Sequence, residues 1–168
     1  MFSLNVPVPG EVRGLAGDLR NRLLAFDSVR ERHTLVVKRL DGAAKGGRDR
    51  IEAQARRALA GTPAFEARVT GIETFVEPVS GPGPVVYLAV ESPGLWRVHE
   101  RLVECFGAVE DLEGPAYTPH VTLARGGPLE AVERLAAEPI DPVTWTVSEL
   151  RFFDVRYREW VGKVSLPG

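Results

Sequence analysis

Apolar and polar positions alternate at the start of the chain. Phe2, Leu4, Val6 and Val8 share one parity, and the pattern stops at Pro9-Gly10, which predicts a strand over residues 2–8. The period then changes. Val12, Leu15, Leu19, Leu23 and Leu24 recur at helical spacing, so residues 11–25 are expected as an amphipathic helix. Residues 33–40 are rich in β-branched side chains and read as a second strand. Residues 48–59 read as a second helix, closed by Gly61 and Pro63. Strands are predicted over 65–75 and 85–90, with the turn-forming VSGPGP segment between them. Ser92-Pro93 forms an N-cap and first-turn pair for a helix to Phe106, and Gly107 stands at its end. A strand over 117–124, a short helix ending before Pro139, and strands over 144–155 and 160–165 complete the chain.

Strands alternating with helices usually indicate a parallel sheet. Here the Gly- and Pro-rich hairpin signals and the strand pair at the C-terminus favour antiparallel pairing. The expected fold is α+β: one bilobal domain over residues 1–168, each lobe an antiparallel sheet with helices outside, around a central cleft. Each half offers a helix, a histidine-bearing strand and another helix, without an alignable repeat.

Composition narrows the function classes. The 168 residues are 44% hydrophobic and 26% charged, with a formal net charge of −2, which excludes wholesale disorder and a strongly basic nucleic-acid coat. Charge is nonetheless uneven, net +5 over residues 1–60 and net −7 over the remainder, so the first half could present an anion-binding face. A single cysteine, Cys105, and three histidines leave no framework for a disulfide or a zinc cage, and no metal or cofactor is expected. The N-terminal residues lack the charged start and apolar core of a signal peptide, and no apolar run approaches the ~20 residues needed to cross a bilayer. A cytoplasmic monomer without membrane attachment or an obligate protein partner is expected. Arginine outnumbers lysine 18 to 3, which suits a GC-rich prokaryotic genome.

Two segments carry the candidate chemistry, RHTLVVKR (32–39) and PHVTLAR (119–125). In the second, His120 and Thr122 are two apart on a strand and emerge on one face, while Val121 and Leu123 pack the other. An imidazole moves a proton, and a neighbouring hydroxyl donates a hydrogen bond to a phosphoryl oxygen. The first segment sets His33 beside Thr34. Lys38 follows His33 by five residues, as Arg125 follows His120, so each histidine has a cation to offer an anionic ligand. Strict alternation would put those cations on the opposite strand face unless a bulge turns them inward. Tyr117, three residues before His120, is expected at the cleft. His99 reads as a surface or packing residue, Cys105 as core, and Trp96, Trp145 and Trp160 chiefly as packing aromatics.

These two segments, 87 positions apart between the histidines, resemble the two-histidine (2H) phosphoesterases, and within them the RNA 2′,3′-cyclic phosphodiesterase or 2′-5′ RNA ligase group. The resemblance implies two pseudo-symmetric α+β lobes with one His-x-Thr motif on each side of a cleft. It also implies metal-free cleavage of a 2′,3′-cyclic phosphate, at RNA ends or in nucleotides, to a 2′-phosphate, with reversible 2′-5′ joining as the reverse reaction. His120 and Thr122 fit the second motif, and Arg125 the basic residue that follows it. The first motif departs: counted from His33 the hydroxyl position is Leu35, and counted from Thr34 the histidine position is Arg32. His33 is taken as the catalytic partner of His120, with Thr34, Thr122, Arg125 and Lys38 on the phosphate and Arg32 with Tyr117 lining the cleft. The competing expectation is a binding domain for RNA or nucleotides that has lost turnover through its first motif.

Overall fold

A computed structural model describes residues 1–40 and 47–167. In chain order the elements are β1 (Phe2–Val6), α1 (Gly10–Asp18), β2 (Ser28–Val29), β3 (Leu35–Arg39), α2 (Gly47–Ala58), β4 (Phe65–Phe75), β5 (Val85–Glu91), α3 (Pro93–Phe106), β6 (His120–Arg125), α4 (Leu129–Ala136), β7 (Val143–Val147), β8 (Glu149–Asp154) and β9 (Glu159–Ser165). All strand pairs are antiparallel. They form a four-stranded sheet in the order β3-β1-β8-β9 and a five-stranded sheet in the order β2-β6-β5-β4-β7. This is the α+β architecture expected from the turn signals.

Two expectations change in detail. The helix predicted over 11–25 ends at Asp18, and its periodicity continues through a 3-10 turn over Arg20–Leu23, which still buries Leu19 and Leu23. The single strand predicted over 144–155 is two strands in two different sheets. β7 pairs with β4, the chain crosses at Ser148, and β8 pairs with β1. An extended segment keeps its alternation while exchanging partners, so the pattern carried no mark of the crossing.

The helices cover one face of each sheet. Leu4, Val6, Leu150 and Phe152 of the first sheet and Val69, Leu88, Val121 and Leu123 of the second are buried in one continuous apolar core. The opposite faces carry Ser3, Asn5, Val36, Arg151 and Phe153 on the first sheet, and His120, Thr122, Tyr87 and Ala89 on the second. Val85 through Val90 are all buried because β5 lies inside its sheet, with the core on one side and a small cluster of Val85, Tyr87, Ala89 and Phe75 on the other.

α3 begins as its sequence requires. Ser92 Oγ accepts a hydrogen bond from Leu95 N at 3.1 Å, Pro93 occupies the first turn, and Gly107 leaves the helix at a φ of 81°. Gly94 sets how closely α3 approaches β4, since a Cβ there would stand 2.3 Å from Phe65 Cβ. Alanine gains up to about 1 kcal/mol over glycine in a helix, whereas overpacking costs about 1–3 kcal/mol. Gly94→Ala is therefore expected to destabilise the fold by about 1–2 kcal/mol, read as a lower urea midpoint with an unchanged slope.

Candidate active site

His120 opens β6, and its ring is fixed from three sides. Nδ1 lies 2.6 Å from the carbonyl oxygen of Thr118, which can only accept, so Nδ1 carries the proton and Nε2 of the neutral ring keeps its lone pair. Phe75 and Tyr87 stack on each other at 4.3 Å and both meet the imidazole edgewise at 5.2 Å, holding its plane. Burial lowers the His120 pKa from 6.5. The Thr118 carbonyl opposes this, and the guanidinium groups of Arg39, Arg125 and Arg30 add to the lowering. The ring is neutral in neutral solution and ready to take a proton.

Arg125 joins this face because of a bulge. Tyr87 pairs with Thr122 and Val86 with Ala124, leaving Leu123 as an extra residue. Beyond it Arg125 pairs with Val85, which shares a face with Tyr87, so His120, Thr122 and Arg125 stand on the same side of β6. The Arg125 side chain is held by the β4–β5 loop, donating from Nη1 to Ser80 O at 2.9 Å.

β3, in the other sheet, contains the same device with a different outcome. Leu4 pairs with Lys38 and Asn5 with Val36, so Val37 is the extra residue in β3. Lys38 then falls on the core face with Leu4, and Arg39, opposite Ser3, on the other face. The phosphate-binding expectation for Lys38 is corrected on this ground. Its side chain is 2% exposed and is paired with Glu113 at 2.5 Å, so it is sealed from solvent and already holds a carboxylate. Arg39 stands on the face that Lys38 leaves, and among the cations it has the largest influence on His120.

Tyr117 is also corrected. It is 5% exposed, stacks on His99 at 3.8 Å and donates its hydroxyl to Val36 O at 2.7 Å, so it joins β3 to the α3–β6 connection and is not open to a ligand. Burial raises its pKa far above the usual phenol value, and it stays protonated. Arg32 is exposed and reaches Arg158 O at 3.4 Å, tying the lead-in to β3 to the β8–β9 turn at the rim.

His33 and Thr34 immediately precede β3. Thr34 has the parity of Val36 and His33 that of Leu35, which is fully buried. His33 itself is half-buried. Burial lowers its pKa first, followed by Arg20, Arg13 and Arg30. The two imidazoles thus border different guanidinium groups and share Arg30. Sequence reasoning missed Arg30, Arg39, Phe75 and Tyr87. The one available signal was Tyr87, the single polar-tipped side chain inside the apolar run of β5.

Among the described residues, no group of three or more His, Cys, Asp or Glu side chains is placed to hold a metal ion, and no helix is long and apolar enough to cross a membrane. The family model described as "2'-5' RNA ligase superfamily" matches residues 24–157, most of the chain. The chain belongs to this superfamily. No curated protein matches the sequence. Among solved structures, TT0787 of Thermus thermophilus shares the fold of this superfamily member with a TM-score of 0.69 and 22% identity, covering 99% of this chain and 98% of that one. E. coli LigT complexed with NADP+ matches with a TM-score of 0.67 and 18% identity, covering 99% and 97%. LigT complexed with 3′-AMP matches with a TM-score of 0.64 and 18% identity, covering 99% and 98%. The fold is that of the 2H phosphoesterases, and superfamily membership supports phosphoesterase or ligase-type chemistry.

Proposed function

We infer that this superfamily member hydrolyses 2′,3′-cyclic phosphates, at RNA ends or in nucleotides, to 2′-phosphates. The observation that carries the reading is His120, with Nδ1 pinned to a carbonyl, Nε2 free, and Thr122 and Arg125 turned onto its face by a bulge. Water attacks phosphorus as one imidazole takes its proton. The P–O3′ bond breaks, and a second imidazole gives a proton to O3′. His33 is assigned as the second proton carrier. Thr122, Arg125 and Arg39, with Thr34 and Arg30 nearby, hold the phosphoryl oxygens as charge develops on them. The nucleotides bound in the LigT crystal structures are of the same ligand class.

The test is incubation with 2′,3′-cyclic AMP in the presence of EDTA, with the product identified as the 2′- or 3′-phosphate. Formation of 2′-AMP is expected. Absence of product, with the nucleotide still bound, leaves a binding domain instead. The pH profile tests the assignment of the two histidines. With one neutral and one protonated imidazole required, kcat/KM peaks midway between their pKa values. Both are lowered from 6.5, so the peak is expected on the acid side of that value. Above the peak the pair loses its acid, and kcat/KM falls about tenfold per pH unit. A maximum above about pH 7.5 would assign the proton transfers to other groups. His33→Ala that keeps full activity would remove His33 from the reaction.

A further inference from the structure

Among the described residues β3 is an edge strand of its sheet, paired only with β1, and a bulge interrupts that pairing at Val37. Edge backbone groups in the interior need partners. Here four buried side chains supply them in place of a strand. The Tyr117 hydroxyl donates to Val36 O at 2.7 Å, and His99 Nδ1 lies 2.7 Å from Val37 O. Glu113 accepts from Arg39 N at 2.8 Å and from Lys38 Nζ, which also donates to Arg39 O at 2.6 Å.

His99 is fully buried and both ring nitrogens are committed. Nε2 accepts from Gly114 N at 2.9 Å, so the proton sits on Nδ1 and is donated to Val37 O. Gly114 O in turn accepts from Tyr117 N at 3.0 Å, and the Tyr117 ring stacks on His99. From Tyr117 the chain runs directly to Thr118, whose carbonyl pins His120. One end of this network therefore grips the strand that presents Arg39. The other end grips the segment that presents His120.

We propose that His99 and Tyr117 are positioning residues that fix the separation of Arg39 and His120 across the cleft, through the carbonyls of Val36 and Val37 and the turn at Gly114. The proposal rests on reading the cleft as a phosphoester site. Its effect falls on the reaction more than on substrate capture. Arg125 and the remaining cations still attract the anion, while a misplaced Arg39–His120 pair meets the transition state poorly.

The experiment compares Tyr117→Phe, His99→Leu and His99→Asn with the parent protein. Tyr117→Phe removes one hydroxyl and keeps the ring stack. Asparagine at position 99 retains a donor where Nδ1 stands. With 2′,3′-cyclic AMP, Tyr117→Phe and His99→Leu are expected to lower kcat roughly 10–100-fold with KM changed less than about threefold, and His99→Asn to recover much of the loss. A lowered melting temperature with kcat intact in Tyr117→Phe would make these residues structural only and overturn the proposal. The readout independent of turnover is the His120 imidazole NMR signal, titrated with inorganic phosphate. A response weakened in Tyr117→Phe supports the proposal even if no cyclic nucleotide is hydrolysed, and an identical response overturns it. A parent protein that neither turns over the nucleotide nor responds to phosphate overturns the cleft reading and the proposal together.

Discussion

His120→Ala is expected to lower kcat/KM for a 2′,3′-cyclic nucleotide by about 10²–10⁴ while leaving the melting temperature nearly unchanged. The ring sits at the start of β6 on the face away from the main core, and its strand neighbours Val121 and Leu123 keep all their packing. What is lost is a proton acceptor held in one tautomer by Thr118 and one orientation by Phe75 and Tyr87. His120→Gln makes a stricter comparison. It restores a polar side chain of similar reach but cannot take a proton at neutral pH, so its activity should stay with alanine and not return toward the parent. Recovery in the glutamine variant would mean that the imidazole binds phosphate by hydrogen bonding alone, without moving a proton.

The largest expected loss of stability lies at Glu113. Its two carboxylate oxygens accept from Lys38 Nζ, Arg39 N and Val109 N, and both partners of the ion pair are all but sealed from solvent. Glu113→Gln leaves the Lys38 ammonium buried without a counter-charge and turns an NH2 group toward donors. Breaking a buried pair in this way costs about 3–5 kcal/mol, which for a chain of this size lowers the melting temperature by roughly 6–20 °C. Lys38→Met should cost less, because the carboxylate keeps its two backbone N–H partners. Equal losses would show that the two N–H donors do not compensate the carboxylate once the ammonium is gone. The same substitution frees Arg39 N, so Glu113→Gln is also expected to impair turnover by the protein that remains folded.

The parts of the site visible in the sequence are those that depend on the nearest neighbours along the chain. His120 and Thr122 sit two apart on a strand, and alternation alone puts them on one face and Val121 and Leu123 on the other. Lys38 and Arg125 each needed a bulge to stand on the face of the histidine five residues before them, and both bulges are present, at Val37 and Leu123. In β6 that face is the one away from the core, so Arg125 stands with His120 and Thr122. In β3 the same shift puts Lys38 with Leu35 and Leu4 on the core face, a difference set by which side of each sheet is covered and not by the local pattern. His99 and Tyr117 carried no local signal, because their roles come from an edge strand that is distant in sequence and lacks a second neighbour.

The sequence by itself determined most of the strands and helices, the antiparallel α+β class and the chemical character of the His120 segment, since each follows from short-range periodicity, capping and turn residues. Tertiary structure alone decided which cation faces the imidazole, where the chain changes sheets at Ser148, and which side chains complete the edge of β3. Those outcomes depend on how a strand registers against its partner and on which backbone groups that pairing leaves unsatisfied. Neither quantity exists until segments far apart in the chain have met.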